Sequence, residues 1–159
     1  MDADNTNNSI INKYNELYSK SDIEKLNSFS KKTPKFSLQN LYKICKVVDV
    51  YDGDTIKVVF EHNGEYNKWT IRMYGYDSPE MRPSKKLENR DEIKKKAIES
   101  KEYLKSLVLN KPILLHCLDF DKYGRILGNI YTENYGDKCI NDHMIEMNYG
   151  YPYFGGTKK

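Results

Sequence analysis

Charged residues that could carry out hydrolytic chemistry are concentrated in three short segments of this sequence. The segments are Asp52-Gly53-Asp54-Thr55, then Arg72 with Asp77-Ser78-Pro79-Glu80, then Asp121-Lys122-Tyr123-Gly124-Arg125. Carboxylates are hard oxygen ligands for a divalent cation, and a further carboxylate could activate a water molecule. Guanidinium groups bind phosphate through paired hydrogen bonds. Together these residue types predict a metal-dependent phosphodiesterase.

Each step of phosphodiester hydrolysis has a candidate residue. The reaction needs charge neutralised on the phosphate oxygens, an aligned water and a stabilised leaving group. Asp54 and Asp77 are candidate cation ligands, and Glu80 follows Asp77 closely enough to stand beside the cation without binding it. Arg72 and Arg125 supply planar forks for phosphate, which lysine reproduces poorly. The spacing of the acidic residues does not fit an EF-hand loop.

Each segment taken alone also has a purely structural interpretation. Asp52-Gly53 is a common hairpin turn, the Asp77 to Glu80 run could be an Asx-type turn, and Tyr123-Gly124 could close another hairpin. The functional interpretation gains weight because all three segments occur in one compact β domain. A barrel can bring them to the same place.

The hydrophobic pattern from residue 41 onward is that of a small β barrel. Alternation predicts strands at 42–50, 55–60, 66–74, 113–120 and 125–132. An apolar stripe predicts a helix at about 91–109, and a shorter helix is expected at 140–147. Five strands with a helix between the third and the fourth is the order of an OB-fold barrel. We therefore predict a mainly β, α+β domain at residues 39–159, a five-stranded OB-fold barrel with packed helices.

Residues 1–38 differ in composition and are expected to form an N-terminal extension that is partly helical or mobile. Residues 9–28 have a helical pattern, and Ser21-Asp22-Ile23-Glu24 fits a capping box. The first residues lack the basic and apolar regions of a secretory signal, and no stretch is long and apolar enough to cross a membrane. We therefore expect an intracellular, cytoplasmic protein with no membrane partner.

Charge and cysteine content add little that is specific. The sequence of 159 residues has a formal net charge of +3 and three cysteines in no metal-binding spacing, so reduced, buried thiols are expected. Residues 83–111 contain eight Lys and one Arg against five acidic residues. This basic flank could follow a phosphate backbone, but the same charges fit a solvated helix face.

The three charged segments together resemble those of the staphylococcal-nuclease-like (thermonuclease) family. The resemblance covers residues 43–154 and includes the helix between the second and third segments. It implies an OB-fold barrel, Ca²⁺ as the cofactor, and hydrolysis of DNA, RNA or both that leaves 3′-phosphate ends. We also expect little sequence specificity, a preference for single-stranded nucleic acid, and a monomer.

The resemblance assigns the cation site to residues of the first two segments. It makes Asp54 and Asp77 the Ca²⁺ carboxylates and Ser78 a ligand through its main-chain carbonyl. Asp52 would be a supporting carboxylate near the metal. Ser78 stands where the family usually has Thr, which changes little if only the carbonyl oxygen is used.

The resemblance also assigns catalytic and substrate-binding residues. Arg72 and Arg125 would bind the scissile phosphate and stabilise its transition state, and Glu80 would be the general base. The implied nucleotide contacts are Lys122 and Tyr123 for a terminal phosphate, and Tyr151 or Tyr153 for the base.

The main alternative is a non-catalytic nucleic-acid or protein-binding module on the same OB fold, because related domains survive in scaffold proteins after losing their active residues. This sequence keeps all five charged positions of the site, which favours the enzyme. A purely structural OB domain with chance motifs would leave those five charges unexplained.

Overall fold

The centre of the protein is a closed β barrel. The computed structural model describes residues 9–155. Five strands form the barrel: β1 (Tyr42–Asp52), β2 (Thr55–His62), β3 (Glu65–Met73), β5 (Pro112–Phe120) and β6 (Ile126–Tyr131). They close in the order β1-β2-β3-β6-β5, and only the β3–β6 pair is parallel. The predicted OB-fold, α+β architecture is confirmed.

Four α-helices are present in the described chain. They are α1 (Ile10–Leu17), α2 (Lys20–Leu26), α3 (Arg90–Val108) and α4 (Ile140–Glu146), with a 3₁₀ turn at Glu133–Tyr135. α3 joins the two halves of the barrel and buries Ala97, Ser100, Leu104 and Val108. Within residues 9–155, no helix is both long and apolar enough to span a membrane.

Strict alternation of side chains builds the barrel core. On β2, Ile56, Val58 and Phe60 are fully buried, whereas Lys57 and Val59 between them are only partly covered. Because successive side chains of a strand point to opposite faces, the apolar set fills the interior and leaves the other set on the outer face. The outer face of β2 and β3 is therefore available to carry a site.

Two very short strands add a second sheet that the sequence pattern did not predict. β4 (Tyr76–Asp77) pairs with β7 (Tyr151–Pro152), with Asp77 opposite Tyr151. A strand of two residues has no measurable alternation, so the pattern gave no signal for it. This pairing fixes the backbone at Asp77.

The described residues up to Phe36 form one compact unit and those from Ser37 onward form another. In the first unit, Ser9 caps α1 and Ser19 caps α2, with its hydroxyl accepting from the Asp22 amide. The capping box expected at Ser21 is therefore wrong, because the helix begins before it. The predicted boundary between the N-terminal extension and the OB-fold domain, at residues 38 and 39, stays a prediction. Residues 1–8 of the extension and 156–159 of the domain lie outside the described residues.

Candidate active site

A cavity of about 690 Å³ opens where the β1–β2 turn, the segment that follows strand Tyr76–Asp77 and the β5–β6 turn meet. The predicted site residues that line it are Asp52, Asp54, Arg72, Asp77, Ser78, Glu80, Lys122, Tyr123, Arg125 and Tyr153. Tyr151 is instead an exposed residue of β7 and is not part of this lining. The fold thus brings three distant segments of the sequence to one place.

Asp54 is held by donors from its own segment and from the second segment. Its Oδ1 accepts from the Thr55 hydroxyl at 2.9 Å, and its Oδ2 accepts from the Ser78 amide at 2.9 Å and the Ser78 hydroxyl at 3.1 Å. Burial alone would raise the pKa of this carboxyl, but the charge of Arg72 and these hydrogen bonds hold the pKa below its usual value. Asp54 is therefore a fixed, ionised carboxylate.

Arg72 links the two buried aspartates. Its Nη2 donates to Asp77 Oδ1 and lies 3.4 Å from Asp54 Oδ2. Its Nη1 donates to the carbonyl oxygens of Met73 and Tyr76, each at 2.9 Å. The guanidinium is thus locked, and both carboxylates converge on one cationic position.

Asp52 lies beside this group and its charge is disfavoured. Burial and then the negative charge of Asp54 raise the pKa of Asp52 to about 7. Its Oδ1 nevertheless accepts from the Asp54 amide at 3.1 Å, so its position is fixed. Additional positive charge at this end of the cavity would favour the ionised form of Asp52.

The opposite side of the cavity is an exposed turn between β5 and β6. Asp121 closes the turn by accepting from the amides of Tyr123 and Arg125, at 2.8 and 2.9 Å, and from Arg125 Nε at 2.7 Å. Burial opposes ionisation of Asp121, but these bonds to Arg125 and Tyr123 lower its pKa. Gly124 has a φ of +80°, a left-handed conformation that favours glycine.

The aromatic ring of Tyr123 is flanked by two cations. Lys122 Nζ lies 5.1 Å and the Arg125 guanidinium carbon 5.4 Å from the ring centroid. Tyr123 is 71% exposed, and Glu80 is also an exposed residue of the lining. These side chains are accessible to a ligand, unlike the buried aspartates.

Comparison with known proteins decides the family. The sequence model described as staphylococcal nuclease homologue matches residues 70–156, which is more than half of the chain. The chain belongs to the staphylococcal nuclease homologue family. A curated relative from Escherichia coli, described as an uncharacterized endonuclease, is 29% identical over 108 residues. The matched region is 68% of this chain and 60% of that relative, so the chain spans less than two thirds of the relative's length.

The donor set in this staphylococcal nuclease homologue fits a hard divalent cation. Within residues 9–155, no group of three or more His, Cys, Asp or Glu side chains forms a complete metal site. Asp54 and Asp77 offer two carboxylate side chains as oxygen ligands, next to the main chain of Ser78. The amide and the hydroxyl of Ser78 donate hydrogen bonds to Asp54. Cations of this class accept carboxylate and carbonyl oxygens and complete their coordination with water.

Tyr76 supports the site and was not found by sequence reasoning. It is completely buried, and its hydroxyl donates to the Gly53 carbonyl at 2.7 Å, which ties β4 to the β1–β2 turn. A Cβ atom on Gly53 would lie 2.7 Å from Ser78 Cβ and would also collide with the Ser100 side chain. The Asp-Gly pair signalled a turn, but nothing in the sequence indicated these partners.

Proposed function

We propose that this chain is a Ca²⁺-dependent endonuclease that hydrolyses phosphodiester bonds of DNA, RNA or both and leaves 3′-phosphate ends. The observation that supports this best is the common cavity shared by two buried aspartates, one exposed glutamate and two arginines. Low sequence specificity is part of the proposal, because phosphate contacts carry no base information.

The two buried aspartates and the Ser78 carbonyl would hold the cation. Bound Ca²⁺ would supply positive charge for the nonbridging phosphate oxygens and for developing charge on the leaving oxygen. Arg72 keeps the two carboxylates in place through its bonds to Asp77 and Asp54 and presents its charge to the phosphate. Asp52 would support the loaded site from its position beside Asp54.

Glu80 and Arg125 act on the accessible side of the cavity. Glu80 is exposed and lines the cavity, so its carboxylate is accessible to a water molecule from which it would take a proton as the general base. Arg125 is anchored to Asp121 through Nε, which leaves its terminal nitrogens available to a phosphate oxygen. A guanidinium aimed at developing charge contributes on the order of 10² or more in turnover.

The remaining predicted residues would bind the nucleotide. Lys122 and Tyr123 would contact a further phosphate, and Tyr153, which lines the cavity, supports the base-binding role better than the exposed Tyr151. We propose single-stranded nucleic acid as the preferred substrate because stacking needs an unpaired base. We also propose a monomeric enzyme.

A divalent-ion panel tests the activity. End-labelled single-stranded DNA and RNA are incubated with the protein in Ca²⁺, Mg²⁺, Mn²⁺ or chelator, and the product ends are typed by phosphatase sensitivity. We expect cleavage with Ca²⁺, none with chelator, and 3′-phosphate ends. Nucleic-acid binding without cleavage in any ion would establish the non-catalytic module instead.

A matched pair of glutamate variants tests the general base. Glu80→Gln keeps the size of the side chain but removes its basicity, so turnover should fall by about 10²–10⁴ while the thermal midpoint stays unchanged. Glu88→Gln is the control, because Glu88 is an exposed residue of the same loop that does not line the cavity. Equal turnover of the two variants would remove Glu80 from the role of general base.

A further inference from the structure

Besides Thr55, three cavity-lining residues on barrel strands have no role in the predicted site. They are Tyr51 of β1, Lys57 of β2 and Thr70 of β3. We propose that these residues form a second nucleotide subsite, which binds the nucleotide on the far side of the scissile phosphate from Lys122 and Tyr123. The inference rests on the proposed nuclease function and extends the substrate from one nucleotide to a chain running through the cavity.

Strand register places this group next to the arginine of the site. Thr55 of β2 pairs with Arg72 of β3, and two residues further along Lys57 pairs with Thr70. Since side chains two residues apart lie on the same face of a strand, all four project from the outer face, about 7 Å apart along it. Lys57 and Thr70 therefore continue the surface that carries Arg72.

The ammonium group of Lys57 is available to a ligand. Among the cations that line the cavity, Arg72 is paired with two aspartates and Arg125 with Asp121. In the described part of the chain Lys57 forms no ion pair, although Asp49 lies opposite it in the β1–β2 register. A half-buried lysine that faces a polar cavity without a carboxylate partner suits a phosphate group.

Tyr51 supplies an exposed aromatic face in the cavity that Lys57 lines. Its side chain is 64% exposed and lines the same cavity. A cation next to an exposed ring is the combination that binds a backbone phosphate and its stacked base in single strands. Lys122 and the 71%-exposed Tyr123 repeat this combination on the other side of the cavity.

The order of the strands separates the two combinations. Tyr51 is on β1 and Arg125 directly precedes β6, and these two strands are not neighbours in the closed barrel: β2 and β3 lie between them on one path and β5 on the other. The lining of the cavity includes Tyr51, Lys57 and Thr70 as well as Lys122, Tyr123 and both arginines. Nucleotides on both sides of the arginines would therefore contact this lining, which suits cleavage within a chain.

Substrates with one or two nucleotides test the subsite through kcat/KM. Tyr51→Ala and Lys57→Ala are compared with wild type on thymidine dinucleotide and on the nitrophenyl esters of thymidine 3′-phosphate and 5′-phosphate. Loss of a stacked base corresponds to roughly tenfold for Tyr51→Ala on the dinucleotide. We expect Tyr51→Ala to lower kcat/KM by the same factor on the ester whose nucleoside occupies the subsite. On the other ester the factor should be at least five times smaller. Equal losses on both esters would overturn the subsite.

Binding in chelator tests the subsite without any cleavage. The Kd of a fluorescent single-stranded oligonucleotide is measured by anisotropy over a range of salt concentrations. Lys57→Ala should make the slope of log Kd against log salt shallower by about 0.7, the value for one lost phosphate contact on a single strand. Tyr51→Ala should weaken binding without changing that slope.

Two exposed residues of β3 provide matched controls for both experiments. Tyr66→Ala and Lys68→Ala remove the same side-chain types from positions that do not line the cavity, and they should match wild type. Subsite variants indistinguishable from these controls would overturn the inference, even in an active nuclease. If the wild-type protein cleaves nothing but the subsite variants bind the oligonucleotide more weakly than wild type, the subsite is upheld and the proposed function is rejected.

Discussion

The two sides of the cavity are built in opposite ways. The buried wall, made of Asp54, Arg72, Asp77 and Ser78, is largely removed from solvent, and its polar groups are bonded to one another. The exposed wall is the turn from Asp121 to Arg125, where Lys122 and Tyr123 project into water.

This difference follows from the cost of burying charge. A buried carboxylate is tolerated only when it is paired and hydrogen-bonded, so every member of the buried wall depends on the others. Groups on the exposed wall keep more of their hydration, and Asp121 keeps its bonds from the amides of Tyr123 and Arg125 when the side chain of Arg125 is lost. We infer that the buried wall determines folding together with activity, whereas the exposed wall affects activity almost alone.

The largest expected contrast is between the two arginines. Arg72→Met leaves Asp54 and Asp77 buried without their cation, which should lower the free energy of unfolding by about 3–5 kcal/mol. Arg125→Met breaks one partly exposed ion pair and should cost no more than about 1 kcal/mol, while still depressing turnover. Urea unfolding in the presence of chelator measures both. Similar losses of stability would contradict the division into two walls.

A pair of glycines gives the next contrast. Gly53→Ala puts a Cβ 2.7 Å from Ser78 Cβ and against Ser100, and overpacking of this kind costs about 1–3 kcal/mol. At Gly124 a Cβ meets no atom within 4 Å and only the positive φ of +80° is unfavourable, for about 1 kcal/mol. Thermal unfolding of the two variants should rank them in this order, and the reverse order would show that the β1–β2 turn can relax.

The smallest contrast concerns two tyrosine hydroxyls. Tyr76→Phe leaves the Gly53 carbonyl without its donor, which should cost roughly 1–2 kcal/mol. The hydroxyl of Tyr123 belongs to an exposed side chain, so Tyr123→Phe should change stability by less than about 0.5 kcal/mol. Chemical denaturation resolves a difference of this size. A Tyr76→Phe variant as stable as wild type would mean that water replaces the lost donor.

Local patterns in the sequence were sufficient for the barrel. The alternation of Ile56, Val58 and Phe60 predicts β2, and these side chains are buried as expected. Turn chemistry also predicted the hairpin at Asp52-Gly53. A capping motif was less reliable, because Ser19 and Ser21 are both acceptable caps and only the position of the first helical turn selects between them.

Local sequence patterns did not identify contacts between residues that are far apart in the sequence. The donor of the Gly53 carbonyl is Tyr76, and the atoms that exclude a side chain at Gly53 belong to Ser78 and Ser100. The predicted strand at 66–74 contains Arg72, but the sequence did not show that Asp54 and Asp77 both bind its guanidinium. Such contacts depend on the closed barrel rather than on propensity, and the roles proposed for the site residues stay predictions.

The parallel pairing of β3 with β6 has a consequence for biosynthesis. Arg72 becomes a neighbour of Leu127 only when the last barrel strand docks, so the cleft cannot assemble from the first part of the polypeptide. Contacts between residues far apart in sequence form late, since chain closure must precede them. A nascent chain on the ribosome thus holds no assembled cleft until β6 has left the exit tunnel.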